Sequence, residues 1–533
     1  MKSLKFFLFN NFLTIILFIF SVLICQYTGN RGVYPIDSFA HFDSGFRVLN
    51  GEHPFKDYWV VSGPIIDYLQ GIIFYVFGTN WQSYLLNSSI LNGIISLLTY
   101  YLFTNLGINK IISFFYSICF AVLAYPSSGT PFVDHHSTFL SLISLYALIM
   151  AIYTDKFIFW FSIPILILFG FLSKQVPSIY IFLTIILTLI LYLPYCSKKN
   201  FIRIFKYLSL SSLLILCLLI LFLKINSIRL DYFIIQYLFY PGTIGDQRYE
   251  MINYDIKNIF LNYKFIYLSL FVLLFLTIKN SNPEKKLFND KNFIILFISF
   301  LLFFSLVQHM ITTKNQIFIF FLIPLFLGLA HAQLKPIKKN YRKYLSLFLI
   351  LFCVGITIKY HYRFNIERKF HELNNINFSK SVKGQTINKK LAGLNWITPE
   401  SSRKFKMNFE IELLNNFMKV LKNDNSKKIV ITNYSIFSLL TEEKISGYSR
   451  WYPGDNSAYP VKGNKYFENY KNFIVTFLKK KKIKNVYILP DVSELNFTNY
   501  IEKECFTKEK MEMKIFKFTI NENCKQFNKI KLF

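Results

Sequence analysis

Between Tyr34 and Pro64, just after the first apolar run, the chain gathers Asp37, His41, Asp43, Glu52, His53, Lys56, Asp57 and Tyr58. Ionisable groups held beside lipid-soluble sequence point to function, although a solvated connecting loop is polar too. Three more places stand out: Asp134-His135-His136 in YPSSGTPFVDHHS, Lys174 in FGFLSKQVP, and Arg248 in the long stretch Asp231–Lys257. His309 follows Gln308 just ahead of Thr312–Gln316. Carboxylates and imidazoles exchange protons near neutral pH, and Lys or Arg pairs with phosphate. Asp-His-His also supplies metal-ligand types, but neighbours on one helical turn point apart, so one ion cannot easily use both imidazoles. Structural roles compete at each place. Asp37 is placed to cap a helix through Phe39–Leu49, Asp134 and Thr313 to cap helices of their own, and Lys174 to snorkel at a membrane face.

Composition decides what positions these residues. The chain has 533 residues, of which 53% are hydrophobic, 19% aromatic and 17% charged, with a mean hydropathy of +0.35. A single soluble core cannot bury that much apolar surface, so the expected fold class is a polytopic α-helical membrane protein. Apolar runs long enough to cross a bilayer occur at roughly 6–26, 81–106, 111–125, 137–154, 157–173, 176–195, 207–226, 259–278, 292–310, 315–333 and 344–359, about eleven in all. Ile65–Gly78 is shorter and contains Asp67, which predicts an interfacial helix. The first run follows Lys2 and Lys5 and lacks a small-residue cleavage site, as an uncleaved anchor would.

The formal net charge of +30 is mostly topological. With Lys2 and Lys5 inside, the basic loops SKKNFIRIFK and KPIKKNYRK fall on the cytoplasmic side, as do Asn109–Lys110, Asp155–Lys156 and Lys279–Lys291. The opening loop 27–80, Tyr125–His136, Ser173–Gln175, Ser227–Asn258, Thr312–Asn315 and everything after Lys359 then face outward. Because the basic loops are short and dispersed, nucleic acid is excluded as a partner. The seven cysteines are scattered without CxxC or a Cys-His cluster, so no zinc site or redox motif is indicated. Cys505 and Cys524 alone lie in the hydrophilic tail, where a disulfide requires an oxidising compartment.

Composition shifts near residue 360, dividing the chain into a membrane domain, 1–359, and a tail, 360–533. In the tail KIVITN (Lys428–Asn433) and NVYILP (Asn485–Pro490) read as buried strands, preceded by helical patterns at Phe409–Leu421 and Tyr466–Lys479. A small α/β domain with a parallel or mixed sheet follows. The aromatic stretch Gly447–Pro460 suits sugar rings or domain packing. No phosphate-binding glycine motif is present.

Asp37, then Gly51-Glu52-His53-Pro54-Phe55-Lys56-Asp57, Gly63-Pro64 and Phe77-Gly78 together resemble the first outward loop of GT-C superfamily glycosyltransferases. The nearest likeness is to the polyprenyl-phosphate-dependent branch containing protein mannosyltransferases and aminoarabinose transferases. FGFLSKQVP looks like a turn of the same family. The resemblance covers roughly residues 1–360 and implies an inverting transfer of sugar from a polyprenyl-phosphate donor to an extracytoplasmic acceptor, which is a glycan, lipid or protein. It implies Asp37 as catalytic base, and Asp43, His53, Asp57, Asp134, His135, Lys174, Arg248 and His309 as substrate contacts. A divalent cation is the one cofactor the chemistry admits, and membrane lipid is the second partner. Many relatives carry Asp-Glu where this chain has Asp37-Ser38, so the second carboxylate is absent or supplied by Asp43. Two other classes stay open: a carrier of lipid-linked glycans, and an inactive relative serving envelope assembly. A proton-coupled carrier normally places carboxylates in mid-membrane, and here they concentrate in outward loops.

Overall fold

A computed structural model of the chain describes residues 2–125, 129–250, 252, 254–281, 287–313, 319–369, 373–374, 377–399 and 407–529. The chain is a polytopic helical membrane protein. Among the described residues eight helices are long and apolar enough to cross a bilayer: Asn11–Gly29, Trp81–Asn105, Val133–Thr154, Gln175–Tyr195, Lys198–Ile225, Ile256–Asn280, Lys291–Thr313 and Lys339–Glu367. The other three expected spans form shorter helices, Lys110–Ala124, Phe157–Ser173 and Leu322–Ala332, of 15, 17 and 11 residues. A straight crossing needs about 20 residues. The first residues of the expected run 315–333 lie outside the described set. Pro64–Phe77, with 14 residues, is also too short to span.

Local chemistry sets these boundaries. Asn109 starts the Lys110–Ala124 helix by accepting the Ile111 amide at 2.9 Å. Asp155, with φ +54°, closes Val133–Thr154. Pro177 lacks an amide hydrogen, and Val176 before it is extended, so the chain breaks between Phe157–Ser173 and the helix that follows. That break is where Lys174 sits.

Contacts divide the chain into two compact units, neither continuous in sequence. One comprises Met1–Asn30, Leu85–Leu219 and Met251–Asn375; the other comprises Arg31–Tyr84, Ile220–Glu250 and Ile376–Phe533. By contacts the opening loop groups with the tail.

In the first unit, Val133–Thr154 packs closely on Phe157–Ser173. Gly170 permits the approach, since a Cβ there would meet Ser141 Oγ at 2.2 Å and Ser178 Oγ at 2.9 Å. The second unit holds a four-stranded mixed sheet. Lys428–Ile431 pairs in parallel with Asn485–Ile488, Asn485–Ile488 pairs antiparallel with Phe516–Ile520, and Phe506–Lys510 forms an edge. Both parallel strands are buried at every position, as strands covered on both faces must be. Helices Met407–Asn423 and Phe467–Lys481 precede them. Cys505 and Cys524 are joined in a disulfide, with Cα atoms 5.2 Å apart.

Candidate functional site

In the membrane unit three ionisable side chains meet, two from helices and one from the break between two others. Asp134, in the first turn of Val133–Thr154, receives Lys174 Nζ on both oxygens, at 2.8 and 2.9 Å. His309, near the end of Lys291–Thr313, contacts Asp134 Oδ1 through Nε2 at 2.6 Å. A carboxylate engaged by an ammonium accepts, so Nε2 carries the proton here. Ser137 Oγ donates to the Lys174 carbonyl at 3.0 Å, and Ser178 Oγ lies 2.7 Å from Ser137 Oγ and 2.8 Å from Ser141 Oγ. These hydroxyls fix the turn that presents the lysine. Asp134 and Lys174 cancel in charge, leaving His309 to decide whether the cluster is neutral or cationic. Asp134 and His309 are buried, and the Lys174 side chain keeps 18% of its surface.

The second unit carries a larger network, in which the opening loop and the tail are joined residue by residue. Ser446 Oγ donates to Asp43 Oδ1 at 2.6 Å, and Arg47 Nη1 to the Gly447 carbonyl at 2.8 Å. The Trp59 amide reaches the Tyr448 carbonyl at 2.8 Å, and the Arg450 amide reaches the Trp59 carbonyl at 3.3 Å. The Arg450 guanidinium then enters the loop, binding Asp67, the Ser62 carbonyl and, at 3.1 Å, Ser44 Oγ. Asp67 also accepts from Tyr58 at 2.8 Å and from His41 Nδ1 at 2.9 Å. Arg47 stacks over the Tyr58 ring at 4.0 Å and binds Glu52 at 2.7 Å, and Lys481 reaches the other Glu52 oxygen.

Electrostatics in this network follow burial first and partners second. Burial pushes the Asp43 carboxyl up to about 6, against the pull of Arg47 and the Ser446 bond. Burial acts the same way on Glu52, but Arg47 and Lys481 outweigh it and hold that carboxyl below its ordinary range. For His41, burial and then the Arg450 charge lower the imidazole, outweighing its contact with Asp67. Four buried polar atoms here have no hydrogen-bond partner among the described residues: His41 Nε2, Trp59 Nε1, Trp451 Nε1 and Tyr84 Oη. Each costs about 1–3 kcal/mol if nothing satisfies it.

Asp37 lies half-buried in the single turn Pro35–Ser38. Phe39 is the residue that leads into Ala40–Leu49, so Asp37 does not cap that helix. Asp134 is likewise no cap, because Phe132 occupies that position and the carboxylate turns to Lys174 and His309. Thr313 ends its helix rather than starting one, its hydroxyl bonding back to the His309 carbonyl at 2.8 Å, and Lys314–Gln316 lie outside the described residues. His135 packs among Tyr125, Phe132 and Phe139, whereas His136 bonds Asn87 Oδ1 at 2.9 Å; the two imidazoles serve different surroundings and form no joint metal site with Asp134. His53 contacts Tyr68 Oη at 3.1 Å, and its amide donates to Asp57 Oδ2 at 2.9 Å, so this pair closes a turn. Arg248 is exposed on Tyr240–Glu250. Tyr448, Tyr452 and Tyr459 of the aromatic stretch are buried in the tail's core.

Reasoning from sequence missed Asp67 and Arg450. Asp67 stood out only as a carboxylate inside an apolar helix, and that signal alone marks a buried partnered charge. Compared with known proteins, the chain matches no family model and no curated protein. What the two arrangements offer chemically is an ion pair with an imidazole at the ends of apolar helices, and a carboxylate-held imidazole beside an arginine.

Proposed function

We propose that the protein is a membrane glycosyltransferase that moves a sugar from a polyprenyl-phosphate donor to an acceptor outside the cytoplasm, with inversion at the anomeric carbon. The observation carrying this reading is the Asp134–Lys174–His309 cluster, an ion pair with an imidazole at the ends of apolar helices. A lipid phosphate leaving with its charge needs a cation at such a depth, and Lys174 with a protonated His309 supplies one. The acceptor hydroxyl must lose a proton as it attacks, and the opening loop offers bases, Asp37 being the one the GT-C resemblance implies. A carrier is less well supported, since Asp134 and His309 sit at helix ends rather than mid-span.

The test is transfer of radiolabelled sugar from a polyprenyl-phosphate donor in membranes carrying the wild type, Lys174→Met or Asp37→Asn. Wild-type membranes should transfer label above vector controls, Lys174→Met should raise the donor KM at least tenfold, and Asp37→Asn should lower transfer. Failure of the wild type with every donor offered removes the proposal.

A further inference from the structure

The His41–Asp67 pair has the geometry of an oriented base. Asp67 is fully buried and accepts from three donors, Tyr58 Oη, Arg450 and His41 Nδ1. A carboxylate that accepts from a guanidinium and a phenol accepts from the ring as well, so the proton between it and His41 belongs to Nδ1. Burial and the Arg450 charge favour the neutral ring. Nε2 is then a bare lone pair, buried and without a partner among the described residues. A packing histidine would be expected to satisfy both nitrogens, as His136 does with Asn87 and the Phe132 carbonyl.

Its surroundings are polar and equally unsatisfied. The indole of Trp451 stands edge-on to the His41 ring, with centroids 5.9 Å apart, and its Nε1 has no hydrogen-bond partner among the described residues. Trp451 is only partly buried, so a surface side chain lies against the imidazole. The Tyr84 hydroxyl, also without a hydrogen-bond partner among the described residues, feels the charges of Asp37, Asp67 and Arg450. An acceptor nitrogen and two aromatic N–H or O–H groups suit a hydroxylated ligand, whose O–H groups both donate and accept.

We propose that His41, held by Asp67, is the proton acceptor for the attacking hydroxyl of the glycosyl acceptor, with Asp37 serving as a substrate contact. The step rests on the transferase reading. As the acceptor oxygen bonds to the anomeric carbon, its proton passes to His41 Nε2 and the bond from that carbon to the phosphate oxygen breaks. The electron pair leaves with the polyprenyl phosphate, and the imidazolium, stabilised by Asp67, later returns its proton to solvent. The charged groups that act on the ring are Asp67 in the loop and Arg450 from the tail, and the Tyr58 hydroxyl shares the Asp67 carboxylate with it.

The experiment compares full-length wild type, His41→Gln, Asp67→Asn and Asp37→Asn in the labelled-donor assay from pH 5 to 9, with thermal unfolding of each variant as the check on folding. The expected result is a roughly 100- to 10,000-fold lower kcat for His41→Gln with donor KM unchanged and the acid limb of the pH profile gone. His41→Ala should regain part of its rate with added imidazole, and Asp67→Asn should shift the limb. An active wild type whose His41→Gln variant keeps kcat within threefold, or loses rate but retains the acid limb, overturns the assignment and leaves the transferase reading intact. A wild type inert toward every donor overturns both.

Discussion

Burial drives the Asp43 carboxyl up to about 6 even though Arg47 stands 4.0 Å away and Ser446 donates to it. Between its ordinary value of 3.8 and about 6, the folded chain holds a proton that the unfolded chain has lost. The stability this group contributes is therefore present at acid pH and declines as pH rises through that window. The difference corresponds to roughly 3 kcal/mol. Asp43→Asn keeps an acceptor for Ser446 and removes the buried charge, so it should raise the unfolding temperature at pH 7.5 by several degrees and leave it nearly unchanged at pH 4. Equal effects at the two pH values in thermal scans would show that the charge is not the cause. Glu52 works with the opposite sign: Arg47 and Lys481 hold it low, so its contribution is full at neutral pH and lost as pH falls through its folded value.

The elements that carry these residues were readable in unequal measure. Helices and the strands of KIVITN and NVYILP announce themselves by uninterrupted apolar runs, whereas Phe506–Lys510 is polar after its first residue and Phe516–Ile520 interleaves Lys and Thr with apolar residues, as part-exposed antiparallel strands do. Asp134, Lys174 and His309 each show as ionisable residues in apolar sequence, but their meeting depends on separations of 40 and 175 residues. Arg450 and Asp67 are 383 residues apart, a pairing no local pattern encodes. That pairing is testable. Arg450→Ala should cost about 3–5 kcal/mol by leaving Asp67 buried and uncompensated. Arg450→Lys should not restore stability, because one ammonium cannot serve Asp67, the Ser62 carbonyl and Ser44 together. Replacing both partners, Asp67→Leu with Arg450→Met, should recover most of the loss in denaturation scans; a double variant as unstable as Arg450→Ala would disprove the account. In the membrane unit Gly170→Leu should push apart the helices that Ser141 and Ser178 join, lowering donor transfer without changing the tail's disulfide.

At the level of the whole chain, the number of crossings and the redox state of the tail are one question. Eight crossings return the chain to the side of Lys2 and Lys5, whereas eleven carry the tail to the opposite side. The three short helices, Lys110–Ala124, Phe157–Ser173 and Leu322–Ala332, decide which. If all three cross, the basic loops SKKNFIRIFK and KPIKKNYRK fall inside together with the N-terminus. Cys505–Cys524 then lies in a compartment where a disulfide persists, whereas a cytoplasmic tail would be kept reduced. The bond closes a loop with a sequence separation of 19 and should stabilise the tail by about 3 kcal/mol. Protein trapped with alkylating agent in native membranes should therefore show five reactive thiols when denatured, Cys25, Cys119, Cys196, Cys217 and Cys353, and seven after reduction. Protease added to intact spheroplasts should remove the tail while sparing a tag ahead of Lys2. Seven thiols before reduction, with a tail protected until lysis, would place both ends on one side and require an even number of crossings.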